Sequence, residues 1–234
     1  MAFSKNEKKV LGVVAAVGIF LWLKKKQADA AASGLEDRSL LQTAGDQIAR
    51  VTDKVTGLFG EKKLRSILPF MERASKATGV PLSWLAAIAR KETGFEFRFA
   101  NVTAGDLKRG GSWGAFQMSL ETARGLGYKG PAPDIKLVKW DRSIGGNVYT
   151  GPITDLMDPE VNIMLAAQFI AQAKKRGLSI ADAASVYNSG RTRAQLKAAI
   201  DKASGNVKKV LLESYNNYSP VVARYQSEYA SLDA

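Results

Sequence analysis

Neither cysteine nor histidine occurs among the 234 residues. The first absence excludes disulfides, thiolate nucleophiles and cysteine-based zinc sites. The second removes Ser–His and Cys–His catalysis and the commonest metal ligand. Any chemistry must run on carboxylates, lysines, tyrosines or hydroxyls, and no cofactor or metal is expected. Internal repeats and low-complexity tracts are missing as well. Hydrophobic residues at 46% and charged residues at 24% are a globular composition, and the length suits one ordinary domain with accessory segments. Acidic residues are in deficit, 22 against 34 Lys and Arg, for a net charge of +12. That balance suits a polyanionic partner such as nucleic acid, an anionic membrane surface or the anionic polymers of a cell wall. Basic clusters such as Arg191/Arg193 and Lys208/Lys209 come without a recognisable nucleic-acid motif, which disfavours nucleic acid.

Long apolar runs are scarce, with one exception at residues 10–23, VLGVVAAVGIFLWL, flanked by Lys8 and Lys9 and by Lys24 to Lys26. As a helix this run spans about 21 Å, short of a hydrocarbon core of roughly 30 Å. Snorkelling lysine stems make up much of the deficit, and Trp22 stands where an interfacial aromatic would. A signal peptide cleaved near Ala28-Asp29-Ala30 and a buried soluble helix are the competing readings. The three lysines after the run oppose the first, and lysines at both ends oppose the second. The expectation is therefore a short N-terminal tail and membrane anchor over residues 1–26. Residues 27–60 then form a linker with an amphipathic helix over 33–59. Ser33 and Glu36 have capping-box spacing, and Leu41, Ala44, Ile48, Val51, Val55 and Leu58 form a heptad seam. That seam could self-associate, bind an envelope or virion partner, or pack on the domain over 61–234.

From residue 61 the pattern is helical, with breaks rich in Gly and Pro. A helix is expected over 81–93, ending at Gly94. Asp158-Pro159 reads as an N-cap followed by proline at the first helical position. Residues 100–156 read as irregular, with NVYTGPI the best strand candidate, and two helical stretches complete the C-terminus. The fold class is mainly α, with at most a small β-element.

Glu92 sits in the last turn of the expected helix, on the face that carries Leu85 and Ile88. Burial and the negative end of the helix dipole both disfavour its ionised form and raise its pKa. Arg90 and Lys91 are expected to point elsewhere. A carboxyl protonated near neutral pH suits a general acid; the alternative is a glutamate paired with a basic residue at the rim of the core.

Further motifs follow in order. Glu92-Thr93 is followed by Gly111-Ser112-Trp113-Gly114-Ala115-Phe116-Gln117-Met118, then by Thr122-Ala123-Arg124-Gly125-Leu126-Gly127. Asp158 to Ile163 reads DPEVNI, and Val186-Tyr187-Asn188-Ser189-Gly190 comes next, with Tyr218 late in the chain. Over residues 64–230 this series resembles the lytic transglycosylase domain of glycoside hydrolase family 23, which has a goose-type lysozyme-like fold. The family's patterns are Glu-Ser, GAxGLMQ, TAxxLG, DPxxNI and AYNAG, so this chain departs by Thr93 for Ser and by Ala115-Phe116 for Leu-Met.

The resemblance implies that Glu92 is catalytic and that Thr93, Gly114, Gln117, Tyr187, Asn188 and Tyr218 bind substrate. Gly114 would admit a close backbone approach to a sugar, and Gln117 can both donate and accept hydrogen bonds. Asn162 is expected to make a structural hydrogen bond and Asp158 a cap, while Trp113 could be groove wall or core. The implied activity cleaves peptidoglycan between N-acetylmuramic acid and N-acetylglucosamine with one carboxyl, leaving a 1,6-anhydro product. A hydrolytic muramidase would need a second acid, from Asp106, Glu121, Asp141 or Asp155. A catalytically silent glycan-binding module is a further alternative. The anchor implies a catalytic domain facing the cell wall in the periplasm, or a wall-degrading protein in the membrane of a phage virion.

Overall fold

A computed structural model describes residues 62–153 and 156–234. The apolar run at 10–23, the seam at 33–59 and Asp155 lie outside the described residues. Among those described, no helix is long and apolar enough to cross a membrane.

Helix α1 runs through residues 62–78 and buries Leu64, Ile67, Met71 and Ala74, a spacing of three and four that marks one apolar stripe. Gly79, at φ 70°, closes it. Helix α2 (Leu82–Thr93) is different, because Leu82, Leu85 and the whole run from Ala86 to Ala89 are buried. A helix apolar on every side belongs in the middle of a core. Pro81 precedes it and provides no side-chain cap. Asp233, near the C-terminus, accepts instead from the Ser83 N–H at 2.9 Å and from the Ser83 hydroxyl. Gly94 at φ 61° reverses the chain at the other end, its N–H bonded to the Arg90 carbonyl at 3.0 Å.

The stretch expected to be irregular is more ordered than that. Strands β1 (Ala100–Asn101), β2 (Ser112–Trp113) and β3 (Met118–Ser119) form an antiparallel sheet, with the short helix α3 (Ala104–Leu107) between the first two. Its register pairs Ala100, Trp113 and Met118 in one row and Asn101, Ser112 and Ser119 in the next. Alternate residues of a strand face opposite ways. The first row is accordingly buried in the core, and the second faces a cavity. Helix α4 (Leu120–Gly125) follows directly. Strands β4 (Val138–Asp141) and β5 (Gly146–Tyr149) make a separate hairpin, joined to the β1 side by a Phe99–Val148 bridge. NVYTGPI thus supplies β5 only through Asn147 to Tyr149.

Helix α5 (Pro159–Lys175) starts as expected, with Asp158 accepting from the N–H groups of Glu160 and Val161. After α6 (Ile180–Ser189) the C-terminus holds three helices rather than two stretches: α7 (Arg193–Lys202), α8 (Gly205–Glu213) and α9 (Ser219–Glu228). A π-helical turn, Ser214–Tyr218, joins the last two. Such turns interrupt an α-helix and re-aim its side chains. Helix α9 packs against both α2 and α6, which brings the end of α2, the end of α6 and the π-turn to one place.

Candidate active site

Glu92 lies at that meeting point. Tyr218, on the π-turn, donates its hydroxyl to Glu92 Oε1. Burial pushes the Glu92 carboxyl up from 4.5 to about 7, against the opposing pull of the Tyr218 hydrogen bond and of the Lys91 charge. The residue keeps some exposure and lines a cavity, so the carboxyl is secluded yet reachable. Lys91 does not point away as expected: its ammonium lies 5.7 Å from the centre of the Tyr218 ring. A flexible four-carbon stem can reach round the helix end, which position on a helical wheel does not register. Arg90 does turn away, stacking 4.0 Å over the Tyr225 ring and pairing with Glu228.

The turn between β2 and β3, residues 114–117, has no ladder partners for much of its backbone. Buried peptide groups must find partners somewhere, and here three helices provide them. Thr93 of α2 donates to the Ala115 carbonyl at 2.9 Å. Tyr187 of α6 donates to the Phe116 carbonyl at 2.6 Å. Asn162 of α5 donates to the carbonyls of Trp113 (2.9 Å) and Leu156 (3.2 Å) and accepts from the Phe116 N–H at 3.3 Å. Asn162 is thereby the structural residue it was expected to be. Gly114 lies against it: a Cβ there would stand 2.6 Å from the Asn162 amide, and φ is 77°. The close approach that Gly114 permits is to Asn162, and Gly114 does not line the cavity.

Gln117 does line it. Its Nε2 donates to the Gly114 and Phe99 carbonyls at 2.9 and 3.2 Å. Two carbonyl partners fix which end of the amide faces them, and Oε1 is the end left for a ligand. Asn188 also lines the cavity and accepts from the Ser214 hydroxyl at 2.6 Å. Tyr187 adds its ring, edge-on to Phe169 at 5.5 Å, and burial together with the Glu92 charge keeps its phenol well above the usual value of 10. Thr93, Gly114 and Tyr218 are not among the lining residues; Thr93 and Tyr218 act through the hydrogen bonds just described. Trp113 is core, its indole N–H bonded to the Gly110 carbonyl and its ring edge-on to Tyr149 at 5.9 Å.

The cavity measures about 260 Å³. Its other wall was not anticipated: Phe99, Asn101, Ser112 and Ser119 from the sheet, with Arg109 beside them. Two-residue strands are too short for the alternation that reveals a strand, although the polar Asn101, Ser112 and Ser119 were a weak signal. Asp106 also lines this wall, the only one of the three possible second acids among the described residues to do so. It accepts from Thr103 Oγ1 and from Arg109 Nη2, the latter at 2.9 Å. Glu121 begins α4, and Asp141 is spent on Ser143 in the hairpin turn. Among the described residues no group of three or more carboxylates could hold a metal ion.

Residues 69–210 match the family described as the Transglycosylase SLT domain. The chain belongs to that family. The match includes Glu92 and every cavity residue named above, and stops short of Tyr218. Among solved structures the SLT domain is similar to the lytic transglycosylase Slt from Pseudomonas aeruginosa, determined as an inactive mutant. The identity is 21% and the TM-score 0.44, over 70% of this chain and 24% of that one. The chain therefore spans about a quarter of that protein's length. A search of curated protein sequences found no match.

Proposed function

We propose that this chain is a peptidoglycan lytic transglycosylase in which Glu92 is both acid and base. One observation carries the reading: a carboxyl raised to about 7, in a cavity whose other carboxylate is tied to an arginine. Near neutral pH Glu92 holds a proton to give to the glycosidic oxygen as the C1–O bond breaks. The acetamide oxygen of the muramyl residue stabilises the positive charge developing at C1. Glu92, now a carboxylate supported by the Tyr218 hydroxyl, takes the proton of the sugar's 6-hydroxyl as that oxygen bonds to C1. The products are a 1,6-anhydromuramyl end and a free glucosaminyl 4-hydroxyl; no water enters. Lysozyme, the familiar example of glycoside cleavage, divides such work between two carboxylates. A hydrolytic muramidase is the second reading, favoured by Asp106 on the facing wall.

The lysine-flanked run at 10–23 supports a membrane-anchored enzyme facing the cell wall, in the periplasm or in a virion membrane. Its purpose would be local opening of the wall, during phage entry or the assembly of an envelope-spanning machine. Mass spectrometry of products from purified peptidoglycan, with full-length protein and Glu92→Gln side by side, tests the chemistry. Anhydromuropeptides that disappear in Glu92→Gln are expected, with a loss of about 100-fold or more. Reducing-end products would establish the hydrolase, and no products from the unaltered protein would leave a binding role.

A further inference from the structure

Loop 103–112 is built around Asp106. Its carboxylate accepts from Thr103 Oγ1 and from Arg109 Nη2, and lies 3.5 Å from the Ser112 hydroxyl. Its carbonyl accepts from the N–H groups of Arg109 and Gly111, both at 2.9 Å. A side chain held this way is a brace, and what it braces is Arg109. The Asp106 side chain is 13% exposed and that of Arg109 52%, yet both line the same cavity as Glu92. A guanidinium has five N–H donors in a rigid fork, and Asp106 takes one nitrogen of it. The rest of the fork stays open beside a row of neutral polar groups, Asn101, Ser112 and Ser119.

Sugar hydroxyls can accept from a guanidinium one bond at a time, whereas a carboxylate matches its planar fork with two parallel, charge-assisted hydrogen bonds. Peptidoglycan carries carboxylates on the peptide stem that hangs from the lactyl group of the muramyl ring. We infer that Arg109, held by Asp106, receives a carboxylate of that peptide stem and so makes the enzyme selective for glycan whose stems carry free carboxylates. This rests on the function proposed above.

The test is calorimetric binding to the full-length Glu92→Gln protein, which holds substrate without turning it over. The ligands are glycan oligosaccharides with their peptide stems and the same oligosaccharides with every stem carboxylate converted to its amide, which leaves the lactyl amide bond intact. The ligand with free carboxylates should bind at least about tenfold tighter, as one charge-assisted pair implies. Adding Arg109→Gln should bring that ratio close to one, and Arg109→Lys should restore part of it, since charge returns without the fork. No preference in the Glu92→Gln protein, or an Arg109→Gln change that weakens both ligands alike and leaves the ratio standing, overturns the inference. The latter would make Arg109 a strut of the loop. Binding of neither ligand by the Glu92→Gln protein would instead sink the functional reading, and this one with it.

Discussion

The two walls of the cavity differ in kind. The helical wall, with Glu92, Phe169, Tyr187 and the Tyr218 hydroxyl behind it, is aromatic and closed, and its effect is to keep a carboxyl uncharged. The sheet wall, with Asn101, Ser112, Ser119 and Arg109, presents small polar groups and one open cation. Burial suits the first because proton transfer needs a pKa near the working pH. On the second only Arg109 is exposed, with Ser112 and Ser119 buried, and exposure suits it because recognition needs donors not already satisfied. The walls are fastened together where Thr93, Asn162 and Tyr187 hold the backbone of residues 113–117. On the function proposed, reaction and recognition are separated in space, and their alignment depends on a few side-chain clamps.

The largest expected effect comes from unfastening the walls. Asn162→Ala leaves the Trp113 and Leu156 carbonyls and the Phe116 N–H without a partner in the core. Each buried unsatisfied group costs about 1–3 kcal/mol, so a loss of roughly 4 kcal/mol is expected. Thermal unfolding should fall by about 10 °C for a domain of this size. Ser112→Ala, on the sheet wall, gives up only the 3.5 Å contact with Asp106 and should cost about 1 kcal/mol or less. Equal losses in the two variants would break the comparison.

A smaller effect separates the walls by pH. The Glu92 carboxyl titrates at 4.5 in the unfolded chain and at about 7 when folded. Below pH 4.5 both states hold the proton and burial of the group carries no ionic cost. As the pH rises toward 7 the unfolded state releases its proton first, and stability declines; above about 7 the whole cost, on the order of 3 kcal/mol, is present. Glu92→Gln removes that cost. Its unfolding temperature should match the unaltered protein at pH 4 and exceed it by several degrees at pH 8. A constant difference across that range would mean that Glu92 is not held protonated.

The helical wall was largely legible in the sequence. A glutamate two residues before Gly94 on the face of Leu85 and Ile88 marked the buried carboxyl, and Asp158-Pro159 marked the start of α5, because both signals lie within a few residues of the feature they predict. The sheet wall was not legible. Its strands are two residues long, so no period could show; Asp106 stood out only as a possible second acid, and nothing marked Arg109. The clamps were legible only as motif letters. Thr93 keeps the hydroxyl of the family's Ser and Tyr187 matches the family pattern, but their partners are carbonyls 22 and 71 residues distant, and a peptide carbonyl has no letter of its own. Residues that the pattern suggested for substrate contact are therefore found gripping backbone, and Lys91 reaches a ring that helical geometry had put out of reach.

The finest test concerns a single clamp. Thr93→Val preserves shape and removes the donor to Ala115, leaving that carbonyl without its 2.9 Å partner. The expected loss is about 1–2 kcal/mol. Thr93→Ser keeps the hydroxyl and gives up a methyl group, and should cost less than about 1 kcal/mol. Ala115 lies between Gly114, whose carbonyl holds the Gln117 amide, and Phe116, whose carbonyl holds Tyr187. Slackening at Ala115 therefore reaches both walls at once, and activity should fall with stability in Thr93→Val while Thr93→Ser keeps both. Denaturant unfolding and the rate of product release, measured on the same samples, decide it. Should Thr93→Val lose activity with its stability intact, the hydroxyl touches substrate and not only backbone. Should Thr93→Ser fail as badly as Thr93→Val, packing of the methyl group, and not the clamp, joins the acid's helix to the sheet.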